Sequence, residues 1–286
     1  MFDVQPRSYK FPLEGLRMPL EIANYANRYN RDGFVSPIQF LSAAEAANHR
    51  RIMEDAEARI GDLHYKAKVH TILRSPFEIA SHRSVLDVVE DLIGPDILIY
   101  NVEYIVKEPH TASHVSWHQD LTYWGFNSDK QVTMWLALSP ATEESGCMRM
   151  VPCSHIRGMM DHEKTQDENN VLFQGQTVQG VDEKDAVLCP LQPGEASFHH
   201  GWTLHASMPN RSDDRRIGLN VQYIRPSMKQ LKHDGDSAVL VRGKDRYNHF
   251  LPDVPADIDL DPAALVKFEA LNKVHRLIAA NGKIAS

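Results

Sequence analysis

The chain has 286 residues, 42% of them apolar, and a formal net charge of −7 at neutral pH, which allows an ordinary packed core and leaves no basic footprint for nucleic acid. It has no run of about 18 apolar residues, so no transmembrane helix is expected, and Met1 to Arg7 lack the apolar segment of a secretion signal. The cysteines, Cys147, Cys153 and Cys189, are odd in number and form no Cys-X-X-Cys pair, which fits a reducing compartment and makes the cytoplasm the expected location.

Taken in chain order, residues 42–60 predict a helix, with Ser42 and Glu45 as a capping box and Gly61 at its end. Residues 83–93 predict a second helix, whose apolar stripe is Val85, Leu86, Val89, Leu92 and Ile93 and whose stop is Gly94-Pro95. Residues 97–107 read as β structure. Residues 131–139 alternate, with Val132, Met134, Leu136 and Leu138 on one face and Thr133 and Trp135 on the other. The polar stretch 159–184 is long for a connection, and it is expected to cover the functional site. Around residues 193–223, two β segments flank a turn made of Pro209-Asn210 and Ser212-Asp213-Asp214. In the second segment Arg216, Gly218, Asn220 and Gln222 share one face, opposite Ile217, Leu219, Val221 and Tyr223. Asp261-Pro262 opens a last helix with the stripe Leu265, Phe268, Leu271, Val274 and Ile278, closing at Gly282. The organisation expected is one domain over 1–286, with a β core at about 95–226 and helical support at 40–94 and 261–281.

The residues that carry chemistry start with His118-Gln119-Asp120. On a strand, side chains two apart share a face, so His118 and Asp120 would offer an imidazole nitrogen and a carboxylate oxygen side by side. A second histidine completes a facial triad of two histidines and one carboxylate, a set that leaves coordination positions open and suits non-haem Fe(II) oxygenases. His205 follows His118 by 87 residues, and Arg216 comes 11 residues later, across the predicted turn. A guanidinium there offers a planar fork for a carboxylate. The plainer alternatives are a surface His–Asp hydrogen bond and an arginine paired with Asp213 or Asp214. Arg215 falls on the opposite strand face. His110, His114, His199 and His200 read as core or rim residues, with His200 the first choice for a pocket residue.

These motifs, in this order and spacing, resemble the phytanoyl-CoA dioxygenase family. Ile93 to Tyr100, Met134 to Leu138 and the run Glu144 to His155 match as well, although Cys153 stands where the family usually has glycine in Pro-Gly-Ser-His. The resemblance covers roughly residues 30–226. It implies a mainly β fold with flanking helices, the double-stranded β-helix or jelly roll. It also implies Fe(II) held by His118, Asp120 and His205, with 2-oxoglutarate and O2 as cosubstrates. Arg216 would hold the distal carboxylate of 2-oxoglutarate with help from Ser207, while Trp135, Gln119 and Lys68 would be further contacts. The reaction implied is hydroxylation of a small-molecule C–H, with succinate and CO2 as co-products; a desaturase, a cyclase or a non-catalytic metal-binding jelly roll are the alternatives. An intact Asp120 argues against halogenation, since related halogenases have Ala or Gly there. The polar loops lean towards a small polar or anionic substrate, with Trp117, Tyr123, Trp124 and Phe126 as candidate pocket walls.

Overall fold

The computed structural model describes residues 22–172 and 175–280. The expected helix stop at Gly282 and the first seven residues lie outside that range. Two β-sheets face one another. The larger has seven strands: β1 (Phe34–Gln39), β2 (Ile97–Lys107), β4 (Gln131–Ala137), β7 (Glu195–His199), β9 (Arg216–Ile224), β10 (Ser237–Arg242) and β11 (Leu251–Pro252), in the order β1-β7-β4-β9-β2-β10-β11. The smaller sheet runs β3-β8-β5-β6, built from β3 (Val115–His118), β5 (Met148–Met150), β6 (Val187–Cys189) and β8 (His205–Ser207). This pair of facing, mostly antiparallel sheets is the jelly roll.

The alternation read from sequence decides what each face of the large sheet does. Val132, Met134 and Leu136 on β4 and Ile217, Leu219, Val221 and Tyr223 on β9 point outward into the main hydrophobic core. That core is closed by the helices α1 (Ile22–Asp32), α2 (Ala43–Ile60), α3 (Arg74–Ala80) and α4 (Arg83–Ile93). The inner face carries Trp135, Asn220 and Gln222, which line a cavity between the sheets. Because helices cover one side and the cavity is lined on the other, β2, β4 and β9 are buried along their whole length.

Local chemistry explains the supports. Ser42 accepts from the Glu45 amide at 3.3 Å and the Glu45 carboxylate accepts from the Ser42 amide at 2.7 Å, so the expected capping box forms at the start of α2. α4 occupies residues 83–93 as its stripe requires. The last helix, α6 (Pro262–Ala280), lays His275, Arg276 and Ala279 against the cavity. Between α4 and β3 runs the long strand β2, whose pairing with β9 is irregular between Ile99 and Asn101 and sets Lys107 opposite Arg216 and Glu103 opposite Asn220. β1 was not foreseen. It contains Pro37, which a central strand could not accommodate, but β1 lies at the sheet edge and its ladder to β7 is irregular between Val35 and Ile38.

Gly218 lets the inner face close. A Cβ there would lie 2.0 Å from the Trp135 ring, which β4 places directly across from β9. Gly218→Ala is expected to force Trp135 aside at an overpacking cost of about 1–3 kcal/mol. The check is a lowered urea midpoint accompanied by a changed tryptophan emission.

Candidate metal centre and cavity

β3 and β8 are antiparallel neighbours, and their register sets His118 directly opposite His205. The two rings stand 4.0 Å apart at their centroids. β3 ends at His118, and Asp120 has helical backbone angles (φ −57°, ψ −45°) just before the short helix α5 (Leu121–Trp124). His118 and Asp120 therefore do not share the face of a regular strand. The strand-to-helix turn performs the juxtaposition instead: Asp120 Oδ1 lies 3.4 Å from His118 Nε2 and 3.6 Å from His205 Nε2. One ligand atom from each of His118, Asp120 and His205 falls within 4.8 Å of the others, as a single bound cation requires.

Hydrogen bonds settle which ring nitrogen is free. His118 Nδ1 is 2.9 Å from the Ser116 carbonyl, and His205 Nδ1 is 3.0 Å from the Thr203 carbonyl. A carbonyl only accepts, so each Nδ1 carries the proton and each Nε2 keeps its lone pair for a metal. Burial, with His118 close by, pushes His205 well below the usual histidine range, so it is neutral at pH 7. Burial would raise the Asp120 carboxyl, yet positive charge on the facing imidazoles of His205, His118 and His199 holds it well below the usual carboxylate range, a part that a bound cation would take over once those rings are neutral. Its second oxygen is 3.2 Å from both the Thr133 hydroxyl, which donates to it, and His199 Nε2. Asp120 and His205 thus meet a divalent metal already deprotonated.

The cavity encloses about 320 Å³ and reaches from the triad to Arg216, with Trp135 and Ser207 on its wall. Arg216 is 1% exposed. It donates to the Gly146 carbonyl at 2.9 Å, and its guanidinium lies 4.9 Å from the Trp135 ring centroid. Its Nε has no acceptor, and among the described residues no carboxylate pairs with it. Burial lowers its pKa only to about 10, so it stays charged at neutral pH. The neighbouring Arg215 is spoken for, in ion pairs with Glu57 and Glu108, and Asp214 pairs with Arg50.

The sequence reading missed two buried ionisable groups beside this cavity. Lys107 donates to the Ser207 hydroxyl at 2.7 Å and to the carbonyls of Ser207 and Met208, while burial, then Arg216, pushes its pKa down to about 6. Ser207 is therefore fixed in place by Lys107 while facing the cavity. Glu103 lies on the cavity wall and accepts from Asn220 Nδ2 at 3.0 Å; burial raises its carboxyl to about 7, with Asp120 adding to the shift. The signal for both was the period-two pattern of residues 97–107, which puts Glu103, Ile105 and Lys107 on one face.

Two expected cosubstrate contacts are not brought to the cavity. Gln119 is fully buried on the other side: its amide donates to the carbonyls of Gly158 and Trp202 and accepts from the Met160 amide, all within 2.8 Å. It fastens the start of the 159–184 connection, whose Val171 and Leu172 do line the cavity. Lys68 sits outside the barrel, with its ammonium on the Tyr100 and Ser237 carbonyls and 3.1 Å from Asp253. His199, not His200, is the extra histidine at the site, because β7 sets it opposite Thr133. Of the four aromatic candidates, Tyr123 and Trp124 line the cavity, whereas Trp117 and Phe126 pack in satellite cores.

A triad of two histidines and one carboxylate inside a jelly roll defines a non-haem metal site of the oxygenase type. The chain belongs to the phytanoyl-CoA dioxygenase (PhyH) family, whose pattern matches residues 29–218. It is 25% identical over 213 residues to a methylphosphonate hydroxylase of Gimesia maris, covering 69% of this chain and 78% of that one. It is 28% identical over 141 residues to a probable alpha-ketoglutarate-dependent hypophosphite dioxygenase of Stutzerimonas stutzeri, a match spanning 49% of each chain, so about half the length of that relative. Among solved structures, the apo form of the non-heme monooxygenase ThoJ superposes with a TM-score of 0.78 at 30% identity, covering 89% of this chain and 97% of that one.

Calorimetric titration with Mn(II) should show one site in the wild type and none in His118→Ala, Asp120→Ala or His205→Ala. Gln119→Ala should keep the metal and lose thermal stability instead. Glu103 gives a pH signature. Its folded pKa, near 7, lies above that of an unfolded glutamate, about 4.3, so the unfolded chain ionises first and stability drains away as pH rises through that window. The melting temperature of Glu103→Gln relative to wild type should therefore climb between about pH 4.5 and 7.5; a flat difference would refute the raised carboxyl.

Proposed function

We propose that this protein is an Fe(II)- and 2-oxoglutarate-dependent dioxygenase that hydroxylates an unactivated C–H of a small metabolite, with succinate and CO2 as co-products. The observation that carries the reading is Arg216, a fully buried guanidinium without a carboxylate partner, facing the same cavity as the His118-Asp120-His205 donor set. A buried charge is tolerated only when something compensates it, and a dicarboxylate cosubstrate supplies the missing anion. The relatives with printed activities act with 2-oxoglutarate or as hydroxylases, which supports the same reading.

Each residue then has a task. His118, Asp120 and His205 hold the metal on one side and leave its remaining positions facing the cavity. When bound, the iron supplies the oxidising power, drawn from O2 and the decarboxylation of 2-oxoglutarate. Arg216 takes the distal carboxylate, Trp135 packs under the guanidinium, and Lys107 aims the Ser207 hydroxyl at the same place. Thr133 and His199 hold Asp120 by Oδ2 and so would fix its orientation towards a metal. Ile105, Met148, Val171 and Leu172 give the wall apolar surface that keeps water from the reacting centre. With Asp120 in place, a halide has no vacant ligand position to take. No helix among the described residues is long and apolar enough to cross a membrane, and the three cysteines are free; free thiols support a reducing compartment, and we place the protein in the cytoplasm.

Succinate release from 2-oxoglutarate under air, dependent on added Fe(II) and stimulated by a substrate from a metabolite panel, is the expected result. Protein that binds neither Fe(II) nor 2-oxoglutarate would defeat the proposal. Arg216→Ala should weaken 2-oxoglutarate binding by about 2–5 kcal/mol, the usual loss when one member of a desolvated charge pair is removed. Wild-type affinity in that variant would show that the clamp lies elsewhere.

A further inference from the structure

The cavity wall holds a second buried ionisable group, an acid opposite in kind to Arg216. Glu103 is 7% exposed, lies on the cavity wall, and has Asn220 Nδ2 at 3.0 Å as its side-chain partner. Among the described residues no cation forms an ion pair with it, although Arg216 and Arg276 line the same cavity. Its strongest charged neighbour is Asp120, which repels it. Burying an ionised carboxylate beside another anion is costly, so without a cation beside it Glu103 leans towards its protonated form, and nothing in the metal or 2-oxoglutarate site described above would keep it ionised.

Position says what could. The rung Glu103–Asn220–Trp135 crosses β2, β9 and β4, and the next rung ends at Thr133, which bonds Asp120. Two strand spacings and one pleat put the Glu103 carboxylate roughly 10 Å from the metal donors. Lys107 and Arg216 pair four residues along the same strands, roughly 13 Å away. The cavity therefore has an anion-binding end at Arg216 and an acidic group at Glu103, which form no ion pair with each other. Tyr65, Tyr123 and Trp124 line the same cavity, and aromatic rings there would also favour a cation.

We propose that Glu103, supported by Asn220, is the specificity-determining residue of the substrate site and selects a small substrate bearing an organic ammonium group. This rests on the oxygenase reading and replaces the lean towards an anionic metabolite. 2-Oxoglutarate occupies the Arg216 end. The ammonium sits on Glu103, and a C–H a few bonds away is presented to the metal.

The test uses a matched series, n-butylammonium, n-butanol and butyrate, each titrated calorimetrically and without oxygen into the protein loaded with Fe(II) and saturating 2-oxoglutarate. Wild type should bind butylammonium more tightly than butanol and butyrate. Glu103→Gln should cut that preference by roughly tenfold or more, as loss of a buried charge pair requires, and Glu103→Asp should restore part of it. Equal binding of butylammonium and butanol by wild type overturns the proposal, and so does an undiminished preference in Glu103→Gln. The charge-transfer band of the Fe(II)–2-oxoglutarate complex, read in the same sample, separates the two claims. A band without cation preference sinks only the role of Glu103, whereas no band in wild type sinks the oxygenase reading.

Discussion

Arg216 is a permanent positive charge sealed between two β-sheets, and much of the surrounding architecture is arranged around the problem it poses. An uncompensated buried charge costs on the order of 3–5 kcal/mol. The chain answers with a Gly146 carbonyl on one nitrogen and the Trp135 face close by, and it leaves the rest of the guanidinium open to the cavity. Glycine at 218 is what makes room for that tryptophan. The protein is thus built incomplete at this point, and its natural complement is an anion.

The same logic orders the rest of the site. The small sheet brings two imidazoles together through strand register, and a turn into α5 delivers the carboxylate. The small sheet adds Ser207, and the large sheet contributes from its inner face the guanidinium, the aromatic plane beside it, the residues that hold Asp120, and Glu103. Each sheet supplies only part of the chemistry, and the cavity between them is where the parts combine.

Much of this was legible in the sequence, for identifiable reasons. The alternation in β4 and β9 separated the core face from the cavity face correctly, because helices cover one side of the sheet and the cavity is lined on the other. The capping box and the Gly94 stop marked α2 and α4 because those signals are local. Gln119 and Lys68 were misplaced because each was carried over by likeness to a family position, and neither spacing nor periodicity fixed where its side chain points. Gln119 follows the last strand residue and turns outward to bind the 158–160 backbone; Lys68 satisfies three oxygens outside the barrel. Glu103 and Lys107 escaped notice because their meaning depends on pairing with β9, more than a hundred residues later. Pro37 concealed β1, since only the tertiary fact of an edge position makes a proline acceptable there.

Asp120 has a mechanical role as well as a chemical one. Its Oδ1 faces the histidines of the small sheet, and its Oδ2 is held by Thr133 and His199 of the large sheet. Asp120 itself therefore ties the two sheets together, and a divalent ion on the three donors would hold that carboxylate in place and favour the folded chain. Ligand linkage sets the size of the effect, about 2.7 kcal/mol for a free metal concentration a hundredfold above its dissociation constant. Occupancy of the metal site would then contribute to how stable the folded chain is, as well as to whether it can react.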